Sequence, residues 1–405
     1  MKIVIAPDSL KGSIGAASAA KAISIGVLAA CPDASIDLCP IADGGEGTVE
    51  AMVAATAGEV LVADVFDPLG AQIRAKFGLL GTNRQAGLPG QVGLSGAVSL
   101  AEGAEPTGEA SGRTAVIEMA SASGLMLVPS DKLDPLRTTS FGTGQLIMAA
   151  LDAGARDIIV GLGDSATVDG GCGAAQAFGV TFVDGHGMAC VCGLAGGGLA
   201  DLGGLDLSGR DPRLAETKII AACDVRNPLL GAAGSARVFG PQKGATPEVV
   251  ELLEANLTRL ADLVGSKLGL QVADLPGAGA AGGMGAGLVA FADAELVEGF
   301  AVVADAVGLS KRLAGADLCI TSEGSFDKQS NSGKVAVGVA QLAAKERVPV
   351  VCIPGQASPD GPHEHFAAVR PLVGGEVTKT QAMGNPECYL TKRAEEVVRT
   401  LLAIK

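Results

Sequence analysis

The sequence predicts an α/β protein, and three features carry this prediction. Short apolar runs recur along the chain, and each is followed by a glycine-rich polar loop and a small-residue segment typical of a helix. Similar strand–loop–helix units begin near residues 2 and 317, so we expect the two ends of the chain to form one domain. After residue 59 the period changes, and two alternating runs around a turn at 67–70 predict a hairpin that opens a second domain.

The composition limits the functions that the chain can have. Its 405 residues, 48% of them hydrophobic, suffice for two or three packed domains. A net charge of −14 argues against a nucleic-acid partner, because phosphate backbones require a basic surface. Nine scattered cysteines and three histidines predict reduced thiols in a cytoplasmic protein, and they do not favour a zinc site. No apolar run has the length of a membrane span, so a membrane partner is not expected.

The first unit places polar side chains at the carboxyl end of a predicted strand, where open α/β sheets bind their ligands. Residues 2–6 are predicted as this strand, and Asp8, Lys11 and Ser13 follow it before a helix over 14–30. All three residues are candidates for the site. Ser13 is equally suited to cap the helix, and Lys11 to lie on a solvated surface.

A second unit repeats this pattern. A predicted strand over 35–40 leads into a glycine-rich turn that contains Asp43 and Glu46, and a helix over 49–57 follows. Two carboxylates beside glycines suit Mg²⁺ or a substrate hydroxyl group. Alternatively, Glu46 complements the positive end of the helix dipole.

Two glycine-rich loops are predicted to lie against an anion. The first, residues 163–171, follows a predicted strand over 157–162 and opens a helix near Cys172. Amide groups at a helix start attract anions, and we favour this over close packing because hydroxyl groups and carboxylates gather in the same turn. The second loop, residues 276–287, has a backbone suited to phosphates or to tight helix crossing. The candidates in these loops are Gly163, Ser165, Thr167, Asp169, Gly170, Gly282 and Gly283.

Other charged candidates lie near predicted strand ends and turns. Arg137 precedes a predicted helix over 145–153, and Arg226 follows a strand over 218–222. An arginine there suits a carboxylate or phosphate, although a place on the rim of a loop is about as well supported for Arg137. Lys243 lies in a turn-rich segment before a helix over 247–268, and Asp327 and Lys334 follow a strand over 317–321. Two further helices are predicted over 335–345 and 386–404.

Taken together, these motifs resemble the bacterial glycerate kinase family. Each stretch alone is weak, but the ordered set covers nearly the whole chain and is highly specific. The matching stretches are IVIAPDSLKGS, ADGGEGTVEAM, DPLRTTSFGTGQLI, GLGDSATVDGGCG, ACDVRNPLLG, RVFGPQKGAT, PGAGAAGGMGAGL and SEGSFDKQSNSGKVAVGVA. The chain departs from the family pattern at Asp164, where a glycine is usual, and residues 81–112 look like an inserted exposed loop.

The resemblance implies a fold and an activity. It implies a flavodoxin-like parallel-sheet domain built from residues 1–60 and 285–405, with a second mixed α/β domain, residues 61–284, inserted into it. It also implies that ATP and Mg²⁺ are used to phosphorylate D-glycerate, with 2-phosphoglycerate as the product in the branch that the chain most resembles. A 3-phosphoglycerate-forming kinase and a related hydroxy-acid kinase stay open as alternatives, and so does a homodimer.

The implied phosphoryl transfer gives each candidate a hypothetical role. The proton acceptor is an aspartate, with Asp8 and Asp169 as the first choices. Carboxylates from Asp8, Asp43, Glu46, Asp169 and Asp327 would hold Mg²⁺. Lys11, Lys243 and Lys334 would neutralise phosphate oxygens, Arg137 or Arg226 would bind the glycerate carboxylate, and Ser13 and Asp43 would contact the substrate.

Two functions from other classes compete with the kinase. A dinucleotide-dependent oxidoreductase fits the glycine loops, but no early strand is followed by G-x-G-x-x-G and an acidic residue about 20 positions later. A non-catalytic module that binds a small anion is the second competitor. Its best support is the set of departures from the family pattern, especially at Asp164 and at Ser325, where the family commonly has an arginine.

Overall fold

A computed structural model describes residues 1–10, 12–45, 47–81, 113–327, 335–375 and 377–404. The predicted inserted loop lies almost entirely outside these ranges, and so do three site candidates, Lys11, Glu46 and Lys334. The predictions for those residues therefore stay predictions.

The described residues form short strands that alternate with helices, as predicted for an α/β protein. The strands are β1 (Lys2–Ile5), β2 (Ser35–Leu38), β3 (Glu59–Phe66), β4 (Gln72–Leu79), β5 (Arg113–Glu118), β6 (Ala155–Gly161), β7 (Thr181–Asp184), β8 (Leu202–Asp206), β9 (Lys218–Ala222), β10 (Glu295–Val297), β11 (Leu318–Thr321), β12 (Ser325–Phe326), β13 (Val350–Cys352), β14 (Gln356–Ala357) and β15 (Ala368–Val369).

The helices between them mostly begin and end close to the predicted positions. They are α1 (Ala16–Ala30), α2 (Thr48–Thr56), α3 (Ala120–Ser123), α4 (Phe141–Asp152), α5 (Cys172–Ala177), α6 (Ser235–Phe239), α7 (Pro247–Leu268), α8 (Ala280–Ala292), α9 (Gly299–Ala306), α10 (Leu309–Leu313), α11 (Val335–Lys345), α12 (Lys379–Gly384) and α13 (Pro386–Ile404). Helix α4 begins four residues earlier than predicted, because the small residues Gly142 and Gly144 allow it to pack closely against Phe66 and Ala174.

The two ends of the chain build one parallel sheet. Its strand order is β15-β13-β11-β1-β2, and every neighbouring pair is parallel. If these five strands are renumbered 1 to 5 in chain order and read from β2 to β15, the order is 2-1-3-4-5, which is the flavodoxin-like arrangement. Helices α1 and α13 cover one face, and they approach closely at Gly26, where a methyl group would lie 2.1 Å from the Thr391 carbonyl oxygen.

The intervening residues build a larger, mixed sheet. Its order is β10-β9-β6-β5-β4-β3, with parallel pairing from β10 to β5 and antiparallel pairing from β5 to β3. The hairpin predicted around residues 67–70 is the β3–β4 pair. Because β10 belongs to this sheet, we propose that the second domain boundary lies beyond Val297, later than the predicted residue 284.

One apolar core joins the two sheets. It combines Val4 of β1 and Ile159 of β6 with buried residues of α2 and α9, such as Met52 and Val303. A separate core covers the opposite face of the larger sheet and includes residues of α4, α5, α7 and α8. The shared core fixes how the carboxyl ends of the two sheets meet, and that meeting point is the candidate site.

Candidate active site

The turn after β2 lies against the carboxyl ends of the larger sheet. A methyl group on Gly161, the last residue of β6, would lie 2.1 Å from the carbonyl oxygen of Gly44. A methyl group on Gly163 would lie 2.8 Å from the Cα atom of Gly45. Only glycines permit such an approach of two backbones, and Gly44 also requires its positive φ of 91°. The glycines therefore join the strand ends of both sheets at one place, which we call the junction.

The junction carries a group of carboxylates. The Oδ1 atom of Asp43 accepts a hydrogen bond of 3.0 Å from the Gly45 amide. A methyl group on Gly45 would lie 3.0 Å from that oxygen and 3.6 Å from Oδ2 of Asp164, so both carboxylates border one point. Asp224, which follows β9, accepts a hydrogen bond of 2.9 Å from the Gly299 amide.

Asp224 has an unusual protonation equilibrium. Solvent reaches this residue, but protein surrounds its carboxyl group on most sides, and the desolvation raises its pKa to about 7. The negative charge of Asp43 raises the pKa of Asp224 further, whereas backbone donors at Gly299 and Phe300 oppose the shift. Repulsion between Asp43 and Asp224 is the electrostatic feature that a bound cation would relieve.

Asp8 lies at the same edge of the smaller sheet as Asp43. Its amide donates to the Ser322 carbonyl oxygen at 3.0 Å, and the Ile41 amide donates to the Pro7 carbonyl oxygen at 3.0 Å. The residues after β1, β2 and β11 therefore continue side by side beyond the ends of their strands. The half-buried Asp8 carboxylate accepts a hydrogen bond of 2.6 Å from the Ser9 amide.

Asp327 and Ser13 lie at other positions around the smaller sheet. Asp327 follows β12, and its Oδ2 atom accepts a hydrogen bond of 3.0 Å from the Ser325 hydroxyl group. Ser13 does not cap α1, because the N-cap residue is Gly15, which makes no side-chain capping bond. The Ser13 hydroxyl group instead donates to the Met383 carbonyl oxygen at 3.2 Å.

The structure does not support Asp169 as a metal ligand or proton acceptor, because its carboxylate is completely buried. Its Oδ2 atom accepts bonds of 2.7 Å from both the amide and the hydroxyl group of Ser140, and a bond of 3.3 Å from the Gly173 amide. Its Oδ1 atom accepts a bond of 3.1 Å from the Gly171 amide. Burial raises the pKa of Asp169, while these donors oppose the shift. The residue ties the starts of α4 and α5 together.

Lys243 is also an interior residue, with 1% of its surface exposed. Its Nζ atom donates to the Ser165 hydroxyl group and to the Thr167 carbonyl oxygen, both at 2.7 Å. Desolvation lowers the pKa of Lys243 to about 7, although nearby Asp169 favours the charged form. The Thr167 hydroxyl group is buried and has no hydrogen-bond partner within the described ranges. The side chain of Lys243 therefore binds the interior side of the 163–171 loop at Ser165 and Thr167. We do not place these three residues against a nucleotide.

The two predicted glycine loops pack against each other. A methyl group on Gly282 would lie 1.8 Å from the Thr167 carbonyl oxygen, and one on Gly283 would lie 2.9 Å from the Cα atom of Gly170. The Gly170 amide donates to the Gly282 carbonyl oxygen at 3.0 Å. All three glycines are buried, so the packing alternative fits them better than anion binding. Gly163 alone among the glycine candidates lies at the junction.

The two arginine candidates differ in location. Arg226 is exposed and follows Asp224 by two residues, close to the junction. Arg137 is also exposed, but the preceding residue, Leu136, accepts a hydrogen bond of 2.9 Å from the Gly197 amide, so its segment is tied to a loop of the larger domain. Of the two arginines, Arg226 is therefore the one that stands close to a junction residue in the chain.

Two residues near the junction were missed as site candidates. Asp224 follows a predicted strand, as Asp8 and Asp43 do, and this position was the available signal. Glu118 ends β5, and its carboxylate accepts a hydrogen bond of 2.7 Å from the Val49 amide of α2. No local pattern indicated this contact, because the two residues are 69 positions apart.

Comparison with known proteins decides the family. The pattern of the glycerate kinase family matches residues 3–402. The chain belongs to the glycerate kinase family. The family and the kind of enzyme predicted from the sequence are therefore confirmed.

Relatives and a solved structure agree with this membership. The chain is 47% identical to Glycerate 2-kinase of Escherichia coli over 89% of its own length and 86% of that protein. It is 42% identical to Glycerate kinase of Bacillus subtilis over 100% of its own length and 99% of that protein. A crystal structure assigned to glycerate kinase 2 of Salmonella typhimurium LT2 has a TM-score of 0.85 and 45% identity, and the match covers 100% of this chain and 98% of that one. This similarity confirms the predicted α/β fold.

Within the part of the chain that the structure describes, no helix is long and apolar enough to cross a membrane.

Proposed function

We propose that the protein transfers the γ-phosphoryl group of ATP to D-glycerate, with 2-phosphoglycerate as the product. Family membership supports the kinase reaction, and the name Glycerate 2-kinase of the Escherichia coli relative supports transfer to the 2-hydroxyl group. The single structural observation behind the proposal is the junction, where the carboxyl ends of two sheets meet and Asp43 lies close to Asp224, with Asp8 following the neighbouring strand β1. Phosphoryl transfer depends on such positioning and on charge neutralisation.

Mg²⁺ is the cofactor that this chemistry implies. Among the described residues, no three or more His, Cys, Asp and Glu side chains form a group arranged to hold a metal ion. However, Mg²⁺ is usually held by one or two carboxylates together with water and substrate phosphates. The pair Asp43 and Asp224 fits that requirement, because the charge of Asp43 raises the pKa of Asp224 and a cation would relieve this repulsion. Bound Mg²⁺ would neutralise charge on the phosphate oxygens, and the predicted ligand Glu46 lies outside the described residues.

The remaining roles follow from position. We propose that Asp8 accepts the hydroxyl proton of the acid, because it lies at the same edge of the smaller sheet as Asp43 and is half-buried. Arg226 would bind the carboxylate of the acid. Lys11, Lys334 and Asp327 stay proposals for phosphate and metal contacts. Nine free cysteines, all within the described ranges, support our further proposal of a reducing, cytoplasmic environment.

Phosphorus NMR of the reaction products tests the proposed function. The protein is incubated with ATP, Mg²⁺ and D-glycerate, and the expected spectrum shows ADP and a phosphomonoester coupled to the proton on C2. A phosphomonoester coupled to the two protons on C3 would overturn the regiochemistry but retain the kinase. D-lactate is the matched control, because it has the same configuration at C2 and keeps the carboxylate and the 2-hydroxyl group but lacks the 3-hydroxyl group. Absence of any phosphomonoester from D-glycerate would contradict the proposed function.

A further inference from the structure

Two helices that meet the junction begin without local side-chain caps. The N-cap residue of α2 is Gly47, and that of α9 is Glu298, and neither makes a side-chain capping bond. The first amide groups of a helix need acceptors, and a carboxylate supplied from elsewhere also complements the helix dipole. In this protein the acceptors come from distant parts of the chain.

Both acceptors belong to the larger sheet. Glu118, the last residue of β5, accepts a hydrogen bond of 2.7 Å from the Val49 amide in α2, and only 9% of Glu118 is exposed. Asp224, which follows β9, accepts a hydrogen bond of 2.9 Å from the Gly299 amide in α9. The ends of β5 and β9, on either side of β6, thus hold the starts of two helices that build the core between the sheets.

The loop that carries Asp43 lies between these two attachments. It leads directly into α2, which begins at Thr48, three residues after Gly45. On its other side it touches the start of α9, where a methyl group on Gly299 would lie 2.1 Å from the Asp43 carbonyl oxygen. The position of Asp43 therefore depends on where α2 and α9 begin.

The opposite ends of the same helices share a different residue. Arg312 donates to the Ala55 carbonyl oxygen in the last turn of α2 at 2.7 Å. It also donates to the Val307 carbonyl oxygen at the end of α9 at 2.9 Å. Arg312 thus anchors the far ends of both helices, together with Asp37 and Leu38 of β2, and it offers a control for a general loss of stability.

From these contacts we infer that Glu118 is a positioning residue for the proposed kinase reaction: through the Val49 amide it fixes the start of α2, and thereby the Asp43 loop, against the larger sheet. Glu118 does not touch the substrate in this role. Only the predicted change in the KM for MgATP rests on the proposed function. The ordering of residues 42–52 can be measured in the absence of any reaction.

Two substitutions at Glu118 separate its charge from its hydrogen bond. Glu118→Gln keeps an acceptor for the Val49 amide but removes the charge that favours the helix start, whereas Glu118→Ala removes both. We expect Glu118→Ala to accelerate amide hydrogen exchange in the peptide covering residues 42–52 by about tenfold, as for the loss of a helix cap. We expect the KM for MgATP to rise by a similar factor of about ten, with kcat reduced less. Glu118→Gln should recover most of both effects.

Arg312→Met is the matched control. It removes the anchor at the far ends of α2 and α9, so we expect lower resistance to urea with exchange in residues 42–52 and KM for MgATP near the wild-type values. The inference is overturned if Glu118→Ala leaves both the exchange and the KM unchanged, or if Arg312→Met reproduces the rise in KM. If the wild-type protein forms no phosphoglycerate, the proposed function fails, but the exchange measurement still tests the positioning role.

Discussion

The junction and the interior beneath the glycine loops contain the same kinds of residue and use them in opposite ways. At the junction, Asp43 and Asp224 are solvent-accessible, and the charge of Asp43 raises the pKa of Asp224. In the interior, Asp169 and Lys243 are buried, and each has its polar atoms bound to neighbouring backbone and hydroxyl groups. A buried polar residue whose partners are protein groups has little to offer a ligand, whereas two carboxylates that repel one another gain from a bound cation.

Substitutions that remove charge should therefore act on catalysis at the junction and on stability in the interior. The largest effect is expected for Asp8→Asn, which keeps the size of the side chain and the acceptor for the Ser9 amide. If Asp8 accepts the hydroxyl proton, kcat should fall by about 10² to 10⁴-fold, since this is the usual contribution of a general base. A coupled ADP-release assay with D-glycerate measures kcat, and urea unfolding is the control. Turnover within a few-fold of wild type would remove Asp8 from the mechanism.

The corresponding substitution in the interior is Asp169→Ala. It leaves the donors of Ser140, Gly171 and Gly173 without their acceptor in a site closed to solvent. We expect the free energy of unfolding to fall by about 3 kcal/mol, because a buried network loses its central member. Urea unfolding measures this change. The KM values of the remaining folded protein should stay near wild type, and an unchanged unfolding curve with abolished activity would return Asp169 to the site.

The difference between the junction and the interior also shows what sequence patterns can and cannot predict in this protein. The alternation of apolar runs and small-residue segments predicted the α/β fold and placed α7, α11 and α13 with their observed ends, since each pattern is local. The loops that contain Asp43 and Asp169 look alike in the sequence, because both place an aspartate beside glycines after a strand. The two loops differ because residues 276–287 pack over the loop that contains Asp169. This contact joins distant segments of the chain, and it makes that loop an interior one.

A pH-dependent comparison of wild type with Lys243→Met is the third test. The pKa of Lys243 in the folded protein is lowered to about 7, from an ordinary value of 10.5. Between these values the unfolded chain binds a proton that the folded protein does not, so this group makes the wild type more stable as pH rises from about 7 to about 10. Below pH 7 both states are protonated and the full cost of burying the charge applies.

Relative to Lys243→Met, the wild type should therefore gain up to about 1.4 kcal/mol of stability per pH unit across that interval. Urea unfolding of both proteins at pH values of about 6.5, 8 and 9.5, which run from just below the lower pKa into the interval between the two pKa values, measures the difference. The matched control is Lys345→Met, which removes an exposed amine at the end of α11 instead of a buried one. A difference between wild type and Lys243→Met that is constant with pH would show that the buried amine does not titrate in this range.

The smallest effect is expected at Asp164, which belongs to the first glycine loop and borders the junction. Asp164 is exposed and has a φ of +52°, in the left-handed region that glycine occupies at little cost. Asp164→Gly should raise the free energy of unfolding by up to about 1 kcal/mol through relief of backbone strain, offset in part by the added freedom of the unfolded chain. It also removes one negative charge beside Asp43, so the KM for MgATP should fall if the junction binds the nucleotide. Asp164→Asn is the control, because it removes the charge without changing the side-chain size. An equal KM for wild type and both variants would place the nucleotide away from the Asp43 loop.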